Sequence, residues 1–343
     1  MAKNKIVELL DELSSKSGIT EVIINNVDNV YVEKDNEMIR LDFPLTEPEV
    51  DAFCQKVAAE NRREFGPAAP VLDGVLPDGS RINLIHKSYT NACHAVTIRR
   101  YLKSIKAFDT SPGIFGLNQR WTDLLKLLVK AKMNVVVSGG TSVGKTTFLN
   151  LLLQEFPSKD RVITIEDTRE LQFGSSNVVR LETRPSHGES RGLTVRDLLR
   201  NALRMRPDRI IVGEVRGAEV FDLLQAMNTG HEGSMTSVHA NSPAEALIRL
   251  ENLYMLAGYD LPMKALRFQI SSAVNFLIQL RRDKNGQRIV SQVSEVAGME
   301  GDKILLQDIG VLKAGEFRFT GLVPSCFEQL QRAGLPKDFF KET

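Results

Sequence analysis

Apolar residues recur every third or fourth position at the start of the chain. Ile6, Leu9, Leu10 and Leu13 predict a short amphipathic helix. Two strand-like runs follow, over 21–24 and 30–33, parted by an Asn/Asp-rich turn. A helix is expected over 47–63, with Pro48 in its first turn, and Gly66, Pro67 and Pro70 end it. A turn in the middle of 76–81 leads into a strand, and a second strand covers 94–99. These elements predict a small α+β domain. Residues 101–116 have weak periodicity and contain Ser111, Pro112, Gly113 and Gly116, so they read as a linker. From Leu117 onward the pattern alternates between periods. Strands are expected over 134–138, 161–166, 209–212 and 234–239, and helices over 146–156, 195–205, 218–227 and 243–257. That alternation predicts a parallel sheet with crossover helices. Beyond Val274 the chain is strand-rich, over 276–281, 288–295 and 304–307, with a last helix over 325–332.

Composition narrows the function classes. The chain has 343 residues, enough for two domains with buried cores. Its net charge of +1 argues against a dedicated polyanion binder, although a local basic patch would fit. Cys54, Cys93 and Cys326 are odd in number and far apart, so neither a disulfide framework nor a four-thiolate zinc site is indicated. Cys93 and His94 could offer two metal ligands, but no partner pair stands at metal-site spacing. A reducing cytosol fits this cysteine usage. The first residues lack the apolar core and cleavage site of a signal peptide, and no apolar stretch approaches membrane-spanning length.

Residues 139–146, Gly-Gly-Thr-Ser-Val-Gly-Lys-Thr, fit the phosphate-loop pattern G-x-x-x-x-G-K-[ST]. The spacing has a chemical reason. A loop that wraps a phosphate must turn successive backbone N–H groups inward, and glycine permits the dihedrals and the close approach. The helix that follows aims its positive end at the same anion. Gly140, Thr141, Ser142, Val143, Gly144, Lys145, Thr146 and Thr147 are therefore the expected nucleotide-binding residues, with Lys145 on the β/γ oxygens and the Thr146 hydroxyl on Mg²⁺. A chance match is expected in roughly one chain in a hundred of this length. The apolar run before the loop and the helical run after it make chance a poorer account still.

Hydrolysis needs a group to orient water and another to hold the metal shell. Two predicted strand ends carry acids, Glu166 with Asp167 and, two residues past the next strand, Glu214. In an open α/β sheet ligands gather at the carboxyl ends of the strands, so both acids are expected beside Lys145. A cap or a solvated strand end is the plain alternative for Glu166 and Asp167. Glu214 resembles the acid of a Walker B strand, although Gly213 stands where an aspartate is usual. His231 precedes the strand over 234–239 and His239 ends it. On spacing alone His231 reads as a capping histidine, whereas His239 falls where a γ-phosphate contact is plausible.

The order of these pieces resembles the secretion ATPase superfamily that drives type II secretion, type IV secretion and type IV pili. The matching segments are 165–171 (Ile-Glu-Asp-Thr-Arg-Glu-Leu), 206–217 (Arg-Pro-Asp-Arg-Ile-Ile-Val-Gly-Glu-Val-Arg-Gly) and 229–240 (Thr-Gly-His-Glu-Gly-Ser-Met-Thr-Ser-Val-His-Ala). Within it the chain looks most like the Tad/Cpa (CpaF-like) branch of pilus-assembly ATPases, on residues 76–83, 97–100 and 320–324. It departs from the branch at 62–66, Arg-Arg-Glu-Phe-Gly, and it lacks the tetracysteine metal motif of many relatives.

The resemblance implies an α/β fold: a RecA-like P-loop NTPase domain over 117–343 with a strand-rich extension, a linker over 106–116 that serves as hinge near 111–116, and a small α+β (PAS-like) sensor domain over 1–105. It implies that Glu166 polarises the attacking water, Glu214 holds the Mg²⁺ shell, and His239 senses the γ-phosphate. His231 would support subunit or nucleotide contacts. Arg81 and Arg99, with Arg100 as the adjacent alternative, would close over the nucleotide as arginine fingers. Their plain alternative is surface charge. ATP and Mg²⁺ are the implied cofactors. A homohexamer is implied, cytoplasmic and held at the inner membrane by pilus platform proteins, with no direct nucleic-acid contact. The rivals are a type IV secretion ATPase moving DNA or protein, a RecA-like DNA motor, and a nucleotide-binding scaffold with little catalysis.

Overall fold

A computed structural model describes residues 4–340 except 17, 35–36, 91–92, 101–106, 110, 185–191 and 314. The chain forms two compact units, Met1–Ser104 and Ile105–Thr343.

The first unit runs α1 (Lys5–Ser14), β1 (Ile19–Asn26), β2 (Asn29–Lys34), β3 (Glu37–Leu41), α2 (Glu47–Glu60), β4 (Val71–Val75), β5 (Arg81–Ile85) and β6 (Ala95–Arg99). Its strands pair antiparallel in the order β3-β2-β1-β6-β5-β4. Alternate residues Val22 and Ile24, Ile82 and Leu84, and Val96 and Ile98 are buried in one core with Ile6, Leu9 and Leu13 of α1 and Val50, Phe53 and Val57 of α2. The period of two along the strands puts Arg81, Asn83, Thr97 and Arg99 on the other face. Thr46 and Glu49 form a capping box that starts α2.

The second unit carries α3 (Gln119–Lys130), β7 (Val135–Gly139), α4 (Lys145–Leu153), β8 (Val162–Glu166), β9 (Val178–Glu182), α5 (Val195–Ala202), β10 (Arg209–Val212), α6 (Glu219–Asn228), β11 (Met235–Val238), α7 (Pro243–Met255) and α8 (Met263–Ala273). It ends with β12 (Phe276–Arg282), β13 (Arg288–Glu300), β14 (Lys303–Lys313), β15 (Glu316–Phe319) and α9 (Phe327–Ala333). The sheet order is β15-β14-β13-β12-β7-β11-β10-β8-β9. From β12 to β9 the strands are parallel, and β13 to β15 continue it antiparallel.

Both faces of the central parallel strands are covered, which is why β7, β8 and β10 are largely apolar runs. Val135 and Val137 pack toward α3, α4 and α9 with Trp121, Phe148 and Leu330. Val136, on the opposite face, packs with Leu199 of α5, Leu223 of α6, Leu250 of α7 and Ile270 of α8. At the amino-terminal ends of the strands, fully buried Arg209 pairs with Asp160 at 2.7 Å and lies over the Phe156 ring. That pins the edge of the sheet opposite the glycine-rich loop.

Residues 101–106 and 110 of the expected linker lie outside the described residues. The described remainder is packed into the second unit. Phe108 and Phe115 are buried in its core, and the Phe115 ring meets Phe148 of α4 edge-on at 5.1 Å. An isolated glycine- and proline-bearing stretch reads as a linker, but its two phenylalanines supply the apolar surface that docks it.

Candidate functional site

Parallel pairing puts the ends of β7, β11, β10 and β8 on one edge of the sheet. Across that edge the order is the loop with Lys145, then His239, then Glu214, then Glu166.

The loop after β7 is shaped for an anion. Gly144 caps α4 with φ +94° and offers no side chain to the first-turn N–H groups, so those donors are available to a ligand. Ser142 also takes a positive φ, +59°. A Cβ at Gly139 would stand 2.6 Å from the Val143 side chain and 2.8 Å from the Leu280 carbonyl. A Cβ at Gly144 would stand 2.9 Å from Arg288 and 3.1 Å from Phe115. Gly139 is thus required by space, and Gly144 by space as well as by dihedral. Lys145 is 8% exposed, and its Nζ donates to the carbonyls of Gly139 at 3.1 Å and Gly140 at 2.8 Å. The ammonium also lies 3.2–3.3 Å from both His239 ring nitrogens.

His239 Nε2 lies 2.9 Å from Glu214 Oε1, yet Oε1 has no aligned hydrogen-bond partner among the described residues. Glu214 Oε2 accepts from Arg216 at 2.7 Å. Burial, then the Lys145 charge, push the His239 pKa below its ordinary value, while Glu214 pulls the other way. His239 is therefore a neutral ring between a cation and an anion at pH 7.

Glu166 is 5% exposed at the end of β8. Its Oε1 accepts from the backbone N–H of Glu170 at 2.8 Å and Leu171 at 2.9 Å, whereas buried Oε2 has no partner among the described residues. Burial raises its pKa to about 7 against the opposing pull of those two amides. A carboxyl poised near neutrality with one open oxygen suits proton transfer from water. Gly213 explains part of this placement. A Cβ there would stand 3.1 Å from Glu166 Cγ, so the residue replacing the usual aspartate gives room for the neighbouring glutamate. Asn150 of α4 donates to the Glu170 carbonyl at 3.2 Å and accepts from Gln172 N at 2.8 Å. Gln154 donates to the Gln172 carbonyl at 2.8 Å. The helix that follows the loop thus holds the segment that orients Glu166.

Two expected residues stand elsewhere. The His231 Nδ1 bonds the Pro207 carbonyl at 3.0 Å, ahead of β11. β11 separates it from His239, so His231 lies at the opposite edge of the sheet and is not gathered with Lys145 in its own chain. Arg100 clamps the end of α1 in the first unit. Its guanidinium donates to the Leu13 carbonyl at 2.7 Å and the Ser14 carbonyl at 3.2 Å, where a cation offsets the negative end of α1. Arg81 and Arg99 are directly opposed across β5 and β6, and Glu21 is opposite Arg99 on β1. Like charges in opposed positions oppose pairing, and Glu21 offsets this on the Arg99 side.

Several residues were missed from sequence. Buried Gln279 accepts from Ser138 Oγ at 2.5 Å and donates to the Ala240 carbonyl at 3.1 Å, bracing the loop's strand and the residue after His239. A glutamine inside an apolar strand was the available signal. Arg282, at the end of β12, donates to the Ser142 carbonyl at 3.0 Å and the Gly286 carbonyl at 2.9 Å. It bridges the β12–β13 turn and the tip of the loop. Arg282→Ala should weaken nucleotide binding about fivefold, from loss of roughly 1 kcal/mol of charge-assisted hydrogen bonding at a strained turn. A titration with fluorescent ADP checks this, and an unchanged dissociation constant would remove Arg282 from the loop's support.

The donor set fits a magnesium nucleotide. The loop supplies a helix start with no side-chain cap and a lysine, buried Glu166 keeps Oε2 without a partner among the described residues, and half-buried Glu214 faces His239 and Arg216. Among the described residues no group of three or more His, Cys, Asp or Glu forms a ready metal cage. Magnesium in phosphate sites usually needs few protein ligands, because phosphates and waters complete its shell. Thr146 and Glu214 are the residues that would hold it.

An open parallel sheet with a glycine-rich loop, its lysine, a histidine and two acids along one edge has the plan of a nucleotide-driven secretion ATPase. The chain belongs to the Type II/IV secretion system protein family, whose model matches residues 4–316. It is 34% identical over 301 residues to a Mycobacterium tuberculosis protein provisionally named a conjugal transfer protein, covering 85% of each chain. It is 32% identical over 316 residues to the type IV secretion system protein PtlH of Bordetella pertussis, covering 84% of this chain and 92% of that one. Its fold resembles the ATPase DotB of Legionella pneumophila, with a TM-score of 0.60 at 18% identity, over 88% of this chain and 82% of that one. Among the described residues no helix is long and apolar enough to cross a membrane.

Proposed function

We propose that this chain is an ATP-hydrolysing motor with a RecA-like nucleotide domain and a PAS-like sensor domain, working as a homohexamer on Tad-type pilus assembly. The observation that carries the catalytic part is the single edge on which Lys145, His239, Glu214 and Glu166 meet. Lys145 leaves the loop carbonyls to meet the β/γ oxygens, and the α4 amides take the β-phosphate. Bound Mg²⁺ supplies charge neutralisation at the phosphates. Glu166 Oε2 accepts a proton from the attacking water, while the amides of Glu170 and Leu171 hold its other oxygen. Arg81 and Arg99 are proposed to steady the departing phosphate.

The pilus assignment rests on the branch-like segments 76–83, 97–100 and 320–324. Work would be done at the cytoplasmic face of the inner membrane, through platform proteins. Transport by a type IV secretion channel is the second reading, and the names of the relatives favour it. Deleting the gene and restoring it separates them. Loss of surface pili with normal DNA or protein transfer supports the pilus reading, and the reverse overturns it. A solution mass other than six chains in the presence of nucleotide would remove the hexamer.

A further inference from the structure

Arg216 is outside every motif role assigned above, yet it joins the two acidic strand ends. Its guanidinium lies 2.7 Å from Glu214 Oε2 and 3.7 Å from Asp167 Oδ2. The side chain is 60% exposed, whereas that of Glu214 is 19% exposed. Its backbone is fixed independently. Glu219 Oε1 accepts from the N–H groups of Arg216 at 2.6 Å and Gly217 at 2.8 Å. The arrangement is therefore an exposed cation on a fixed stem, with two carboxylates in reach.

We propose that Arg216 is a positioning residue that occupies Glu214 when no divalent cation is bound and moves to Asp167 when a magnesium shell takes up that carboxylate. This rests on the reading of Glu214 as the magnesium-shell acid. The physical ground is charge. A guanidinium at hydrogen-bond distance neutralises the anion that the metal's waters must use, so Mg²⁺ binds only by displacing it. Asp167 receives the displaced cation without its entering bulk water. It stands at the end of β8, held by the Thr183 hydroxyl at 3.3 Å. Nearby Lys145 and His239 give the metal no competing anion, so Glu214 is the point at which the two cations compete. Arg216 thereby sets the magnesium concentration at which nucleotide becomes tightly held.

The test uses the full chain and fluorescent ADP, with affinity followed as Mg²⁺ is raised from an EDTA baseline. Arg216→Gln should lower the magnesium concentration at half-effect roughly threefold to fivefold, the size expected for an exposed ion pair. Arg216→Lys, which keeps the charge, should stay close to the original protein. Affinity in EDTA should be the same in all three. An unmoved magnesium midpoint in Arg216→Gln overturns the proposal. So does an equal shift in both variants, because that would report a shape change of the 214–217 turn rather than competition of charge. A purely structural role would lower the melting temperature and leave the midpoint in place, which also overturns it. Failure of the original protein to bind ADP in EDTA or Mg²⁺ would instead overturn the nucleotide-site reading itself.

Discussion

Replacing Lys145 by alanine should lower ATP turnover by at least about a hundredfold while leaving the fold intact, the scale seen when a preorganised charge is removed from a developing anion. The reason lies in what the ammonium touches. It donates to two loop carbonyls and lies against His239, contacts that belong to the loop and the edge of the sheet. Phosphate release measures the loss, and a melting temperature near that of the original protein shows that the loop still forms. The same variant carries a second signature. The Lys145 charge contributes, after burial, to holding the His239 pKa down. Its removal should move His239 upward toward the ordinary histidine value, which an NMR titration of the ring would record. Full turnover in Lys145→Ala would refute the proposed site.

Glu166→Gln should cut turnover by about a hundredfold or more, the upper part of the range for a general base, with ADP affinity changed by less than about twofold. The amide keeps the shape and can still accept from Glu170 and Leu171, but it cannot take a proton from water. The pH profile follows from the same carboxyl. Burial raises its pKa to about 7, so below that pH the group is mostly protonated and inactive as a base. Turnover of the original protein should therefore climb through pH 7 and level off above it, falling about tenfold per unit on the acid side. The glutamine variant should show no such limb. If its residual rate keeps the same acid limb, another group is the base.

Much of this was legible in the residues. The loop over 139–146 was fixed by motif and by its strand and helix neighbours, and the structure has the same strand–loop–helix. The covered parallel strands β7, β8 and β10 were recognisable as largely apolar runs, and β11 as a short β-branched stretch. Elements were missed where the signal was weak or went unused. β3 is exposed along nearly its whole length, and β9 is an edge strand only half buried, so neither shows a clean alternation. α3 did carry a signal, because Trp121, Leu124, Leu125 and Leu128 stand at helical spacing, and the reading passed over it.

The candidate site was legible as a set of residues and not as an arrangement. Along the chain the order is Glu166, Glu214, His239. From the loop outward across the sheet it is the reverse, because β11 and β10 lie between β7 and β8. Strand order depends on long-range pairing that local pattern does not encode. The placement of His231 was illegible for a related reason. It shares a motif with His239, but a strand run between them carries them to opposite edges. Arg100 and Arg99 are neighbours, and the alternation of a strand end turns one onto the α1 carbonyls and leaves the other on the arginine face.

Gly213 has a consequence that reaches past its own position. The patch of space beyond β10 is adjacent to two strands and has room for only one side chain. Here β8 occupies it through Glu166, and β10 leaves it empty. A side chain at 213 would press on Glu166 Cγ from 3.1 Å, so a substitution there would be felt first by the acid of the adjacent strand.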